Sequence, residues 1–127
     1  EKRLNEEGLE TQHELKKVHR IFKTMKRRRK QIVAHNGAFD SRILLQTARM
    51  HGYIGWDIVT NDVFCTMQRS KHRCGLKTKT GRIKSPSNSE LYNVLTGKRP
   101  QGPLHDACFD VKVTAASYVQ GRRRGWW

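Results

Sequence analysis

Apolar positions recur at helical spacing in residues 9–29, where Leu9, His13, Val18, Ile21, Phe22 and Met25 form one stripe with charge between them. That spacing predicts an amphipathic helix. The short apolar run Ile32-Val33-Ala34 predicts a buried strand near 31–36, closed by the turn-favouring pair Asn36-Gly37. A second stripe, Phe39, Ile43, Leu44 and Ala48, predicts a helix over 38–51 with Gly52 as its stop. Ile58-Val59 and Val63-Phe64 predict a loop and a short strand within 57–67. Residues 68–88 carry no apolar period, only cations interspersed with Gly75, Gly81 and Pro86, and read as a basic loop or flexible arm. Ser87 or Ser89 then caps a helix over 88–97 through Leu91, Val94 and Leu95, stopped by Gly97. A last helix is predicted over 104–120, and residues 121–127 read as a basic, aromatic tail whose Trp126-Trp127 pair offers rings for stacking on bases.

Strand–helix alternation on a chain of 127 residues predicts one α/β domain. With 35% hydrophobic residues and a mean hydropathy of −0.81, the chain is poor in core-forming material, as for a surface-heavy protein or one missing part of its core. Charge sharpens the picture. Twenty-six Lys and Arg against eleven Asp and Glu leave +15, an excess that attracts polyanions, above all nucleic acid. No basic stretch is joined to a long apolar face, and no apolar run approaches a membrane span, so a membrane role is excluded from the expectation. Cys65, Cys74 and Cys108 are odd in number and form no CxxC pair, which fits a reducing, intracellular, soluble setting. His72 with Cys74, or His105 with Cys108, is at most half a zinc site, with no second pair to complete it.

Three residues carry the candidate chemistry. Asp40 follows the strand and turn, at the start of a helix, in Val33-Ala34-His35-Asn36-Gly37-Ala38-Phe39-Asp40. His105 and Asp110 stand in His105-Asp106-Ala107-Cys108-Phe109-Asp110. Five residues apart on one helix they would point about 140° away from each other, so His105 is expected on the loop before the helix, where Gly102-Pro103 makes a loop plausible. Carboxylates and a histidine in such a setting suit phosphodiester hydrolysis. Carboxylate oxygens hold hard divalent cations, and a histidine near neutral pKa takes the proton of an attacking water.

These segments resemble the DEDDh (DnaQ-like) 3′→5′ exonucleases of the RNase H-like superfamily. Val33-Ala34-His35-Asn36 with Phe39-Asp40 looks like that family's second motif, and His105-x-Ala107-x-x-Asp110 like its third. Cys65-Thr66-Met67 and the Leu91-Tyr92 to Gly97 segment are also similar, and the likeness covers residues 9–120. The resemblance implies an RNase H-like α/β fold with Asp40 and Asp110 as metal ligands and His105 as general base. It implies two Mg²⁺ (or Mn²⁺) ions in a complete domain and a nucleic-acid 3′ end as substrate. His35 and Asn36 would shape the site next to the terminal nucleotide. The family's first motif, Asp-x-Glu, is absent: the five aspartates are followed two positions later by Arg42, Val59, Phe64, Cys108 and Lys112. The expectation is therefore a partial exonuclease domain over 1–120, N-terminally incomplete, with the first sheet strands missing.

Each residue also has a plainer reading. Asp40 and Asp106 both suit a helix start, where the dipole favours a carboxylate by about 0.3–1 kcal/mol; only Asp40 is singled out as a ligand. His35 reads equally as a hydrogen-bonded structural histidine. His13, His19, His51 and His72 are expected at the surface. The block Lys26-Arg27-Arg28-Arg29-Lys30 reads first as a solvated helix end. Arg69, Lys71, Arg73, Lys77, Lys79, Arg82 and Lys84 on a glycine-containing loop read as phosphate contacts. A catalytically inactive nucleic-acid-binding protein on an exonuclease scaffold is the alternative, motivated by the missing Asp-x-Glu and the charge.

Overall fold

A computed structural model describes residues 2–57, 62–103 and 105–127, and side chains from Leu9 onward. The element order is α1 (Lys2–Arg27), β1 (Ile32–Ala34), α2 (Gly37–Met50), β2 (Val63–Cys65), α3 (Thr66–Cys74), α4 (Asn88–Thr96) and α5 (Ala107–Arg123). β1 and β2 form a two-stranded parallel sheet. The chain is mixed α/β, mostly helical. The expected Ile58-Val59 segment and Leu104 lie outside the described residues. The chain divides into two compact units, Glu1–Ile32 with Ala38–Phe64, and Val33–Gly37 with Cys65–Trp127.

In the first unit α1 begins earlier than its apolar stripe predicts, and its buried face differs from that stripe. Leu9 and Ile21 are exposed (65% and 60%), whereas Leu15 and His19 are buried and Phe22 half-buried. Positions 15, 19 and 22 follow the i, i+4, i+7 spacing of one helix face. On α2 the inward residues are Ser41, Leu44, Leu45 and Ala48, and the predicted Phe39 and Ile43 face outward. The helix stops as expected. Gly52 takes φ +70, its N–H donates to the Arg49 carbonyl, and the Tyr53 N–H reaches back to Ala48. A glycine is favoured there because a Cβ clashes in the left-handed region.

The second unit is organised by caps. Ser87 accepts from the Glu90 N–H at 3.1 Å, and the Glu90 carboxylate accepts from the Ser87 N–H at 3.0 Å, a reciprocal capping box. Gly97 closes α4 at φ +73. α4 packs on α5, and α3 on both. The core holds Leu91, Leu95 and Val113, with Thr66, Ser70, Pro86 and Ser117 buried beside them.

Two expectations are corrected in this unit. The basic arm is not a flexible loop: its first part is α3, ended by Gly75 at φ +63. The remainder folds back on itself, with a Lys77–Ile83 antiparallel bridge, Lys84 N–H on the Leu76 carbonyl and a turn around Gly81. Single-sequence apolar spacing misses α3 because its buried residues, Thr66 and Ser70, are polar. Nor is the terminus a free tail. α5 continues to Arg123, and Trp127 lies against it, its Nε1–H donating to the Tyr118 carbonyl at 3.0 Å and its ring stacked on Tyr118. Gly121 makes room for that indole, which would collide with any Cβ there.

Candidate active site

The first motif-bearing segment runs from β1 through a two-residue turn into α2. Asn36 takes φ +69 at the turn, a conformation asparagine tolerates better than most residues. Asp40 follows in the first turn of α2, exposed, at the end of the helix where the dipole favours an anion. His35 is held at both ring nitrogens: Nδ1 pairs with Thr66 Oγ1 at 2.9 Å, and Nε2–H donates to the Pro86 carbonyl at 2.8 Å. Of its two readings, the structural one has the partners. The Gly37 N–H donates to Cys65 Sγ at 3.4 Å, and the same sulfur caps α3 through the Gln68 N–H.

The second segment opens α5. Asp106 is the N-cap, its Oδ1 accepting from the Phe109 N–H at 2.9 Å, as expected of a helix-start carboxylate. His105 lies ahead of the helix, exposed, with φ +70. Asp110 sits in the first turn, half-buried. Its backbone carbonyl accepts from Asn88 Nδ2 at 3.0 Å, and the Thr114 hydroxyl lies within 3.0 Å of that carbonyl and 3.1 Å of Asn88 Oδ1. Asn88 therefore anchors the start of α5 from the first residue of α4. Sequence spacing offers no signal for that tie across 22 residues.

Asn36 and His105 share one property. Among the described residues, the non-glycine residues with positive φ are Arg29, Asn36 and His105. Asparagine and histidine are among the side chains enriched in this conformation. Two of the three are residues that the motif reading had singled out. Asp40 belongs to the first unit and His105 and Asp110 to the second, and each half-site is defined by its own local geometry. Among the described residues no three of His, Cys, Asp and Glu gather into a metal-holding group.

The seven cations are divided between α3 and the folded-back segment after it. Arg69 and Arg73 share a face of α3, whereas Lys71 lies two residues on from Arg69, about 200° around the helix, and is half-buried. Lys77, Lys79 and Arg82 line the folded-back segment, and Lys84 is paired with Glu90 at 2.9 Å. Together with the Ser87 N–H, that lysine holds the Glu90 carboxyl below the usual glutamate range. Burial pushes the Cys74 thiol up, away from reactivity.

His19 departs most from the sequence expectation. Expected at the surface, it is 3% exposed, bonded through Nδ1 to the Tyr53 hydroxyl at 2.8 Å and through Nε2 to Asp57 at 2.5 Å. Trp56 stacks on its ring at 5.2 Å, with Phe22 tilted against the indole. The hydrogen bond from His19 is the main cause holding the Asp57 carboxyl below its ordinary value. The period Leu15, His19, Phe22 is the signal that could have found it. No family model, curated protein or solved structure matches the chain. No helix among the described residues is long and apolar enough to cross a membrane.

Proposed function

We propose that the chain carries motifs two and three of a DEDDh-like 3′→5′ exonuclease and acts on nucleic-acid ends in an intracellular setting. One observation carries the reading: both motifs occur in order, and in each a side-chain-bearing residue with positive φ, Asn36 or His105, leads into a helix with an aspartate in its first turn. In this reading Asp40 and Asp110 would each offer carboxylate oxygens to Mg²⁺ or Mn²⁺, which would supply charge neutralisation at the scissile phosphate. His105, on its exposed loop, accepts the proton of the attacking water, a role worth about 10²–10⁴ in rate. Asn88, through the Asp110 carbonyl, positions the start of α5.

The chain contains no Asp-x-Glu, which favours a second reading, a binder that has lost cleavage. With fewer carboxylates an ion would be held weakly, and each 1.4 kcal/mol of lost transition-state stabilisation costs about tenfold in rate. Residues 1–127 are therefore expected to bind nucleic acid and to degrade it only slowly. A time course on a 5′-labelled oligonucleotide, with Mg²⁺ and with chelator, separates the readings. Slow Mg²⁺-dependent shortening from the 3′ end, abolished in His105→Ala and in Asp110→Asn, supports the enzyme. Binding with no shortening supports the binder, and shortening indifferent to both substitutions defeats the exonuclease assignment.

A further inference from the structure

Arg29 is the third residue with positive φ, and neither motif explains it. It follows α1 at φ +54. The Arg29 N–H donates to the Lys26 carbonyl and the Lys30 N–H to the Met25 carbonyl, at 3.1 and 2.8 Å. Those two bonds make a Schellman stop with Arg29 at the left-handed position, where glycine is the usual residue and a Cβ is a liability. Asparagine, aspartate and histidine are the side chains enriched in this conformation; arginine is not.

The same residue lines a surface cavity of about 290 Å³ lying wholly within the first unit. Lys23, Lys26, Arg29 and Lys30 ring it, and Phe22 and Ile32 contribute apolar wall. Asp57 and Asp62 are also there, but each is already matched, Asp57 by His19 at 2.5 Å and Asp62 by Lys26 at 3.6 Å. Four cations against two carboxylates leave the cavity two charges positive. Among the described residues neither Arg29 nor Lys30 has an ion-pair partner. Complementing the helix dipole accounts for cations in the last turn, which Lys26 and Arg27 already supply. It does not account for an arginine kept at a glycine position beyond that turn.

We propose that this cavity is a phosphate-binding site, with the Arg29 guanidinium as its principal ligand and Lys30 beside it. A guanidinium presents paired N–H donors that match two phosphate oxygens, and the apolar wall suits a phosphate borne on a nucleotide rather than free in solution. The volume lies at the lower edge of the range for small-ligand sites, about 300–1,000 Å³. It suits one phosphorylated unit. The site goes beyond the exonuclease reading, since it involves none of Asp40, His105 and Asp110, and it stands or falls whether or not the chain cleaves.

Arg29→Gly separates the proposal from a structural role, because it removes the guanidinium while relieving the backbone. The full-length chain is titrated with a fluorescein-labelled single-stranded oligonucleotide over a salt series, alongside thermal unfolding. The expected result is an unchanged or higher midpoint with several-fold weaker binding. The slope of log affinity against log salt should be shallower by about 0.7 for each lost single-strand phosphate contact. Arg29→Lys should retain part of the affinity, and Lys30→Gln provides the same readout without touching the strained position. A midpoint that rises while affinity and slope stay at wild-type values would overturn the proposal. NMR titration with inorganic phosphate and with adenosine 5′-monophosphate identifies the source. Shifts at Arg29 and Lys30 with both ligands, or with the nucleotide alone, support the site; shifts with neither overturn it.

Discussion

The two units are built on different kinds of interior. The first buries Leu15 and Ala48 around a histidine whose two nitrogens are spoken for by Tyr53 and Asp57 and whose ring stacks on Trp56. The second buries Leu91, Leu95 and Val113, with the short hydroxyl side chains of Thr66, Ser70 and Ser117 beside them, behind helices whose ends are closed by local caps, a serine–glutamate box at one end of α4 and a left-handed glycine at the other. A polar interior is specific but exposed to loss of any one partner, because a buried group left unpaired costs about 1–3 kcal/mol. The leucine and valine side chains of the second interior, when truncated, lose volume and dispersion contacts instead. The same contrast governs what each unit can offer a ligand. The first unit has a charged cavity beside its polar core, and the second presents Asp110 and His105 from a helix start that Asp106 and Asn88 hold in place.

The contrast can be broken most severely at Leu91, which is fully buried. Leu91→Ala should cost about 2–5 kcal/mol through lost transfer energy and a residual cavity. Hydrogen exchange should show the loss of protection in α4 and α5; a cost under about 1 kcal/mol would mean the aliphatic core is not what holds the second unit.

His19→Ala should come next, at about 2–3 kcal/mol, since it strands the Tyr53 hydroxyl and removes the stack on Trp56. Trp56 fluorescence and near-ultraviolet circular dichroism should both change. His19→Phe, which keeps a flat ring and drops the hydrogen bonds, apportions the two contributions. If His19→Phe matches wild type, the interior of the first unit is aromatic rather than polar.

Smaller effects should come from the carboxylates. Ser87→Ala removes half of the capping box at about 1 kcal/mol. Glu90 and Asp57 are both held below their ordinary values, Glu90 chiefly by the Ser87 N–H and Asp57 chiefly by His19. Depressed values mean that their contributions are fully present above the ordinary carboxylate range. They are lost as pH falls through the folded-state values. Unfolding midpoints measured across the acid range should therefore fall with pH, less steeply in Glu90→Gln and in Asp57→Asn. Both groups are close to solvent, so the slopes should be modest; identical profiles in the variants would remove the linkage.

Legibility followed the range of the interactions. α4 could be read from a capping serine at 87 or 89 and from Gly97 because capping is settled within a turn of chain, and the Gly52 stop of α2 was legible for the same reason. The turn at Asn36-Gly37 and the loop position of His105 were likewise readable from their neighbours. α3 was not, because its inward residues Thr66 and Ser70 are polar and look like surface in a hydropathy pattern. The partners that bury His19 are not legible in the sequence, because Tyr53, Trp56 and Asp57 are at least 34 residues away. The packing of the terminal tryptophans has no local signal, because nothing near them in sequence announces that Gly121 leaves space for Trp127.

By itself the sequence determined the charge excess, the glycine stops of α2 and α4 and the two segments with Asp40, His105 and Asp110 in order, since each is a matter of composition or of residues within a few positions. Tertiary structure alone decided that His19 is interior and that His35 is bound at both nitrogens by Thr66 and Pro86. It also decided that the basic arm is a helix and a folded-back segment, and that Arg29 sits strained at the rim of a charged cavity. The physical reason is the same throughout. Backbone propensity and capping act along the chain, whereas burial and the pairing of buried polar groups depend on which distant residues meet.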